Sequence, residues 1–184
     1  MRKNFGVKSW VYPQPVLIIG TYDADGNPDA MNAAWGGQYD DNQVMLCLGD
    51  HKTTDNIHLK GAFTVSFATS SQVVASDYVG IVSANDEPEK IKKSGFTTTK
   101  SELVDAPIIN ELPLTLECKL IKFNEDGNVI GEILNVSADE SILDENGNID
   151  AEKLDAIIFD PTNATYLRLG EKVGNAFSDG KKLK

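Results

Sequence analysis

The chain has 184 residues, of which 41% are hydrophobic and 24% are charged. This length is enough for a core that needs no disulfide bonds, and we expect a single domain over residues 1–184. The composition excludes a largely disordered chain. The formal net charge of −11 argues against a surface for nucleic acid or for an anionic membrane.

The negative charge is concentrated in residues 125–155, which hold ten acidic side chains and one lysine. The rest of the chain is nearly neutral, so a local pocket for an anion is compatible with the acidic total. The acidic segment 139–153 is typical of a solvated hairpin or short helix at the surface, and a role in docking a partner is the alternative.

Cysteine usage and hydropathy indicate a cytoplasmic protein. Cys47 and Cys118 form neither a disulfide framework nor a zinc motif. Both lie in stretches of alternating apolar residues, so we expect buried free thiols. No apolar run has the length of a signal peptide or of a membrane span.

Two histidines and two aspartate-rich turns are weak candidates for metal ligands. His51 and His58 could share a helix face, but two histidines without a carboxylate or cysteine partner make a weak site. The turns 23–29 and 144–150 lack the glycine that a calcium loop needs at its sixth position. We therefore expect no metal site and interpret both as tight polar turns.

Apolar or alternating runs predict at least five strands. The fourth run loses its alternation after Leu120, which predicts a bulge. An Asp126-Gly127 turn joins the fourth run to the fifth in the clearest predicted hairpin. The runs are 16–22, 43–49, 62–68, 114–123 and 129–136.

The predicted helices are short. One starts near residue 54, and helices of one or two turns are expected over 72–80 and 88–93. Several strands at irregular spacing, with small helices between them, favour a β-barrel with helical decoration over a regular βαβ arrangement. No dinucleotide-binding or phosphate-loop glycine motif is present.

The stretch 48–56 joins a predicted strand to a predicted helix and is a candidate anion site. The start of a helix exposes unpaired N–H groups and a partial positive charge, which suit a phosphate. Hydroxyl, amide and basic side chains lie in the same stretch. The alternative is that Thr53 or Thr54 only caps the helix.

Two further stretches allow a binding interpretation beside a structural one. Residues 29–37 are rich in small side chains and include Trp35, which suits a flat ligand or, alternatively, a barrel strand with a core tryptophan. Residues 83–97 contain three lysines, at 90, 92 and 93. These form either a solvated charge run or a run with one lysine turned toward an anionic ligand.

The order of five stretches is more specific than any one of them. They are YPQPVLIIGTYDADGNPDAMNAAW at 12–35, HKTTDNI at 51–57, EKIKKSGFTT at 89–98, VDAPIINELPLTLECK at 104–119 and YLRLGEKVGNAF at 166–177. In this order they resemble the flavin reductase-like, FMN-binding split-barrel family, and most closely its flavoredoxin branch. The resemblance covers nearly the whole chain.

The resemblance implies a mainly β fold, a six-stranded Greek-key split barrel with short peripheral helices. It also implies a homodimer with one FMN per subunit near the dimer interface. Asn32, Ala33 and Trp35 are then expected along the isoalloxazine, with Ala34 among the cofactor-binding residues. The backbone at Leu48, Gly49 and Asp50 is expected at the polar edge of the ring.

The same resemblance implies which residues hold the phosphate and which charged residue lies beside the ring. Lys52, Thr53, Thr54 and Asn56 are expected to hold the phosphate, with His51 as a helper. Lys90 matches the lysine that approaches the flavin, where a positive charge favours electron density at the N1/O2 edge of the reduced ring.

The chain departs from the family pattern at two positions. Many relatives have Asn six positions before the tryptophan, where this chain has Asp29. Several relatives have His where this chain has Ser137. Both changes concern the tuning of the flavin and a proton donor beside it, and neither touches the phosphate segment.

The predicted function is an FMN-dependent oxidoreductase. Electrons would enter from NADH, NADPH or a protein donor and pass through FMN to free flavin or another acceptor, with no side chain acting as a covalent catalyst. The alternative is a non-enzymatic FMN-binding electron carrier or flavin store. A third, weaker alternative is a barrel that has lost its flavin.

Overall fold

The computed structural model describes residues 1–184, and its secondary structure is mainly β. The strands are β1 (Gln14–Pro15), β2 (Leu17–Tyr22), β3 (Pro28–Ala33), β4 (Gly36–Asp40), β5 (Gln43–Leu46), β6 (Ala62–Phe67), β7 (Thr98–Lys100), β8 (Pro107–Ile109), β9 (Leu114–Phe123), β10 (Val129–Ala138), β11 (Ile157–Asp160) and β12 (Thr165–Arg168). The α-helices are α1 (Lys52–Lys60), α2 (Val73–Ile81), α3 (Lys90–Ser94) and α4 (Ala151–Leu154), and short 3-10 helices cover Ser70–Gln72, Glu140–Ile142 and Asp179–Leu183.

The main sheet is antiparallel, in the order β3-β2-β6-β9-β10-β5-β4. Its two edge strands, β3 and β4, are consecutive in the chain and are joined only by Ala34 and Trp35. Such a link spans at most about 11 Å, so the sheet must curl until its edges approach each other. A Cβ added to Gly36 in β4 would lie 3.3 Å from Leu17 Cδ1 in β2, as this curled half-barrel requires.

The main sheet has seven strands, one more than predicted. The additional strand is β4, which pairs with β5. It begins at the end of the stretch 29–37, which the sequence alone allows as a single strand containing Trp35. The remaining strands form a three-stranded sheet, β1-β11-β12, and a two-stranded sheet, β7-β8. The mainly β class and the short peripheral helices agree with the prediction, and the Greek-key connectivity stays a prediction.

The bulge predicted in β9 is confirmed. Lys122 pairs with Ile130 and Leu120 pairs with Gly131, so Ile121 has no partner in the register. A Cβ on Gly131 would lie 2.4 Å from Cζ of the fully buried Phe63, so glycine is needed where the phenyl ring crosses the bulged strand.

Both faces of β2 are buried, which explains its continuous apolar sequence. Leu17 and Ile19 face the inside of the curled sheet, in a cluster that includes Phe63. Ile18 faces the opposite way, into a cluster that includes Val79 of α2. The two helices α2 and α3 therefore cover the outer face of the sheet at β3, and Val79 of α2 reaches the cluster of Ile18 in β2.

The expectation of two buried thiols holds for one cysteine only. Cys118 is fully buried in β9, where burial raises the pKa of its thiol to about 12. Cys47 is exposed, because its side chain points to the opposite face of the chain from the buried Leu46 and Leu48. None of the helices has the length and apolar character that crossing a membrane requires.

The two aspartate-rich turns are polar turns, as predicted. The carboxylate of Asp23 accepts the N–H groups of Asp25 and Asn27, at 2.9 and 2.8 Å. Asp144 accepts those of Asn146 and Asn148 in the same way, each at 2.8 Å. The acidic segment 139–153 thus folds as a 3-10 turn, a polar turn and the short helix α4.

Candidate functional site

Two adjoining pockets open beside β3, between the start of α1 and the end of α2. One has a volume of about 310 Å³ and a mainly apolar lining, and the other, of about 250 Å³, has a more polar lining. We call them the apolar pocket and the polar pocket. Both are lined by Met31, Asn32, His51, Gly80 and Ile81, so they adjoin, and we call the two together the groove.

The apolar pocket lies where the two sheet edges meet. The indole of Trp35 is 59% exposed and stands on its rim. The alternative that Trp35 is a core residue is therefore wrong. The pocket is lined by Met31, Asn32, Ala33, Ala34, Trp35, Cys47, Leu48, His51, Asp77, Gly80, Ile81, Phe159 and Tyr166.

The close approach of α2 to β3 sets the floor of the groove. A Cβ on Gly80 would lie 2.8 Å from Asn32 Cβ, so this approach requires glycine. The Asn32 amide also donates to the Ser76 carbonyl at 3.1 Å. Asn32 is thereby fixed where the two pockets join.

The polar pocket contains the start of α1. His51 is the N-cap residue, with extended backbone and no capping bond from its side chain. Lys52 and Thr53 follow as the first helical residues, and both line the pocket. The first N–H groups of a helix have no partner within it, so this end of α1 carries partial positive charge.

The capping alternative for the two threonines is wrong. The cap position belongs to His51, and the Thr54 hydroxyl donates to the Gly49 carbonyl at 2.7 Å. The Thr53 hydroxyl donates to Asp29 Oδ2 at 2.8 Å. Both hydroxyl protons are thus used within the protein.

Asp29 joins α3 to α1 through a buried ion pair with Lys90 and a hydrogen bond from Thr53. Its Oδ1 lies 3.2 Å from Lys90 Nζ, while its Oδ2 accepts the Thr53 hydroxyl. The expectation that Asp29 does not touch the phosphate segment is therefore wrong. Asp29 and Lys90 are each 3% exposed and Thr53 is 1% exposed. Of the three lysines of the run, Lys90 is turned inward, whereas Lys92 and Lys93 are solvated.

The structure brings nine of the thirteen predicted site residues to the groove. They are Asn32, Ala33, Ala34, Trp35, Leu48, His51, Lys52, Thr53 and Lys90. Gly49, Asp50, Thr54 and Asn56 lie outside its lining. The Asn56 amide instead donates to the buried Thr21 hydroxyl at 3.0 Å, which ties α1 to β2.

One side of the apolar pocket is formed by β11 and β12, and the sequence did not predict it. Tyr166 in β12 donates to Asp77 Oδ1 in α2 at 2.7 Å, and Phe159 in β11 packs beside it. Burial, together with the Asp77 carboxylate, raises the pKa of Tyr166 to about 12, so its phenol stays protonated. The one available signal was that Tyr166 opens the last of the five ordered stretches.

The charged and sulfur-bearing side chains give no sign of a metal centre. No group of three or more His, Cys, Asp or Glu side chains is arranged to hold an ion. His51 lies at the groove, whereas His58 stacks on Phe123 with ring centroids 3.6 Å apart. The groove is mainly apolar at one end and has the positively polarised start of α1 at the other.

Comparison with known proteins gives a family match over most of the chain. The model of the flavin reductase-like domain matches residues 9–155. An uncharacterized protein of Aquifex aeolicus (strain VF5) is 30% identical over 154 residues, which is 78% of each chain.

Two solved structures are similar over almost the full length. The flavoredoxin of Desulfovibrio vulgaris (Miyazaki F) is 38% identical with a TM-score of 0.94, covering 98% of this chain and 100% of its own. A flavoredoxin from Methanosarcina acetivorans is 27% identical with a TM-score of 0.89, covering 100% of both chains. The segment after residue 155, which includes Phe159 and Tyr166, lies beyond the family match but within these aligned structures.

Proposed function

The chain belongs to the flavin reductase-like family, in its flavoredoxin branch, and on that premise we propose that it binds FMN and acts as an oxidoreductase. It would take electrons from a reduced nicotinamide or a protein donor and pass them to free flavin or another acceptor. The observation that carries this proposal is that the apolar pocket adjoins the polar pocket at the cationic start of α1. FMN has the same two-part character, a flat ring system and a phosphate.

The apolar pocket fits an isoalloxazine ring. A pocket of this size with a mainly apolar lining and few polar groups is typical of a cofactor site. Small side chains at Ala33 and Ala34 let the ring approach the backbone, and Trp35 offers a face for packing. Of the segment 48–50, only Leu48 lines the pocket, and we assign its backbone to the polar edge of the ring.

The polar pocket fits the phosphate. Lys52 forms no salt bridge within the protein and lies at the first turn of α1. We assign the phosphate to Lys52, to the backbone N–H groups of Lys52, Thr53 and Thr54, and to His51 as a helper. The Thr54 hydroxyl and the Asn56 amide hold this segment in place through their hydrogen bonds to Gly49 and Thr21.

Bound FMN supplies the redox chemistry, and the chain's own residues bind, orient and shield it. Trp35 and Phe159 keep water from the ring, and Asn32 presents its side chain where the two pockets meet. The protonated phenol of Tyr166 adds no charge beside the ring at neutral pH. No covalent catalyst is required.

We propose that the protein is a symmetric homodimer. Large apolar side chains are exposed at both chain ends and on the rim of the site, including Phe5, Trp35, Val173 and Phe177. Exposed apolar groups and open sheet edges are commonly covered by a second subunit. Sedimentation at micromolar concentration tests this, and a monomer would contradict it.

Anaerobic mixing separates the enzyme from a flavin carrier. The purified protein, loaded with FMN, should absorb in the blue, and NADH or NADPH should bleach that band in a stopped-flow experiment. Bleaching by dithionite but by neither nicotinamide would favour an electron carrier, a flavin store or an enzyme with a protein donor. No blue band on the protein after incubation with FMN and removal of the unbound flavin would show that the barrel does not hold the flavin.

A further inference from the structure

Asp29 is placed where an external anion would bind. Its carboxylate occupies two donors that line the polar pocket, the Lys90 ammonium and the Thr53 hydroxyl, at 3.2 and 2.8 Å. Thr53 is also in the first turn of α1, whose positive end attracts negative charge. The chain therefore carries its own anion at the end of the groove that suits a phosphate.

We propose that Asp29 is a specificity-determining residue that acts as an internal competitor for the anionic end of the flavin. It holds Lys90 and Thr53 away from the ligand and cancels one of the two lysine charges of the polar pocket. The consequence is a weaker preference for FMN over riboflavin than the residues of this pocket could otherwise give. This proposal rests on the proposed flavin site.

The geometry gives Asp29 both an orienting and an electrostatic effect. Each carboxylate oxygen has a different partner, so one side chain fixes Lys90 of α3 and Thr53 of α1. All three side chains are buried, so water screens the pair weakly and neither charge turns freely toward solvent. Lys52 is then left as the unpaired lysine of the pocket.

Asparagine at position 29 is the informative substitution. It has nearly the shape of aspartate, but it offers one acceptor oxygen in place of two and carries no charge. In Asp29→Asn, Thr53 can keep a hydrogen bond while Lys90 loses its counter-ion. The ammonium group is then free to pair with a phosphate in the same pocket.

The test is a double-mutant cycle in which the measured quantity is the ratio of FMN affinity to riboflavin affinity. Flavin-free wild type, Asp29→Asn, Lys90→Gln and the double variant are each titrated with both flavins. Asp29→Asn should raise the ratio about tenfold, and Lys90→Gln, which leaves the carboxylate unpaired, should lower it about tenfold. The double variant, with no net change in charge, should return to within about threefold of wild type.

The outcomes separate this proposal from its premise. If wild type binds neither flavin, the proposed function is wrong. If wild type binds FMN but all three variants lose FMN and riboflavin affinity in parallel, Asp29 only stabilises the fold and the competitor role is overturned. Melting temperatures of the flavin-free variants identify any that fail to fold, and Asp29→Glu, which keeps the charge, should then retain the wild-type ratio.

Discussion

Lys90 and Asp29, 61 positions apart in the sequence, form a buried ion pair with Nζ 3.2 Å from Oδ1. Two separate sequence features thereby become one structural feature. The inward lysine of the run and the aspartate that departs from the family pattern are each other's partners. Removing one partner alone should lower the free energy of unfolding more than removing both, because a buried charge without a partner destabilises the fold.

Trp35 should report flavin binding through its fluorescence. Its indole lies on the rim of the apolar pocket, so emission should be quenched with FMN bound and should recover when FMN is removed. Trp10 lines neither pocket and packs on Phe5, with ring centroids 5.4 Å apart. Trp35→Phe should remove most of the recovery and Trp10→Phe should not; the reverse pattern would place the ring elsewhere.

Lys52 should contribute specifically to phosphate binding. A hydrogen bond to a charged group is worth roughly 1.5–3 kcal/mol, so Lys52→Ala should weaken FMN about ten- to hundredfold and riboflavin far less. Lys92→Ala makes the same change of charge at a solvated position and is the control. Equal losses for both flavins in Lys52→Ala would mean that the phosphate lies elsewhere.

Thr54 offers the contrasting case in the same segment. Its hydroxyl donates to the Gly49 carbonyl, so Thr54→Ala should cost about 1 kcal/mol of stability. Because the lost bond lies within the protein, FMN and riboflavin affinities should fall by similar factors. A selective loss of FMN affinity would show that the hydroxyl turns toward the phosphate when the flavin binds.

The Tyr166–Asp77 hydrogen bond should hold the last strands against α2. Because its pKa is raised to about 12 in the folded protein, Tyr166 stabilises the fold fully below pH 10 and loses this contribution as pH rises toward 12. Unfolding measured against pH should show a steeper alkaline loss in wild type than in Tyr166→Phe. Parallel curves would contradict the assignment.

Gly80 should tolerate no side chain. Gly80→Ala places a Cβ 2.8 Å from Asn32 Cβ, which should force α2 away from β3, cost roughly 1–3 kcal/mol and weaken flavin binding. Gly37→Ala is the matched control, since no atom lies within 4 Å of its added Cβ. If both variants melt alike, the close approach of α2 to β3 is not essential.

Structural features that depend on a few neighbouring residues could be predicted from the sequence, and features that depend on contacts between distant residues could not. The bulge at Ile121 and the start of α1 follow from alternation and turn residues over a few positions. The exposure of Cys47 depends on which face of the alternating run 44–48 is turned inward, which alternation alone does not define. The Tyr166–Asp77 hydrogen bond joins residues 89 positions apart, and neither residue has a local motif that marks it.

The central claim is that the two pockets hold one FMN, and calorimetric titration of the flavin-free protein tests it most directly. Wild type should saturate at one FMN per chain. Ala34→Trp, which fills the apolar pocket, should lose most of that affinity while keeping the wild-type melting temperature, because Ala34 lies at the groove between the sheet edges. Absence of saturable binding in the wild type, or equal affinity in Ala34→Trp, would contradict the account.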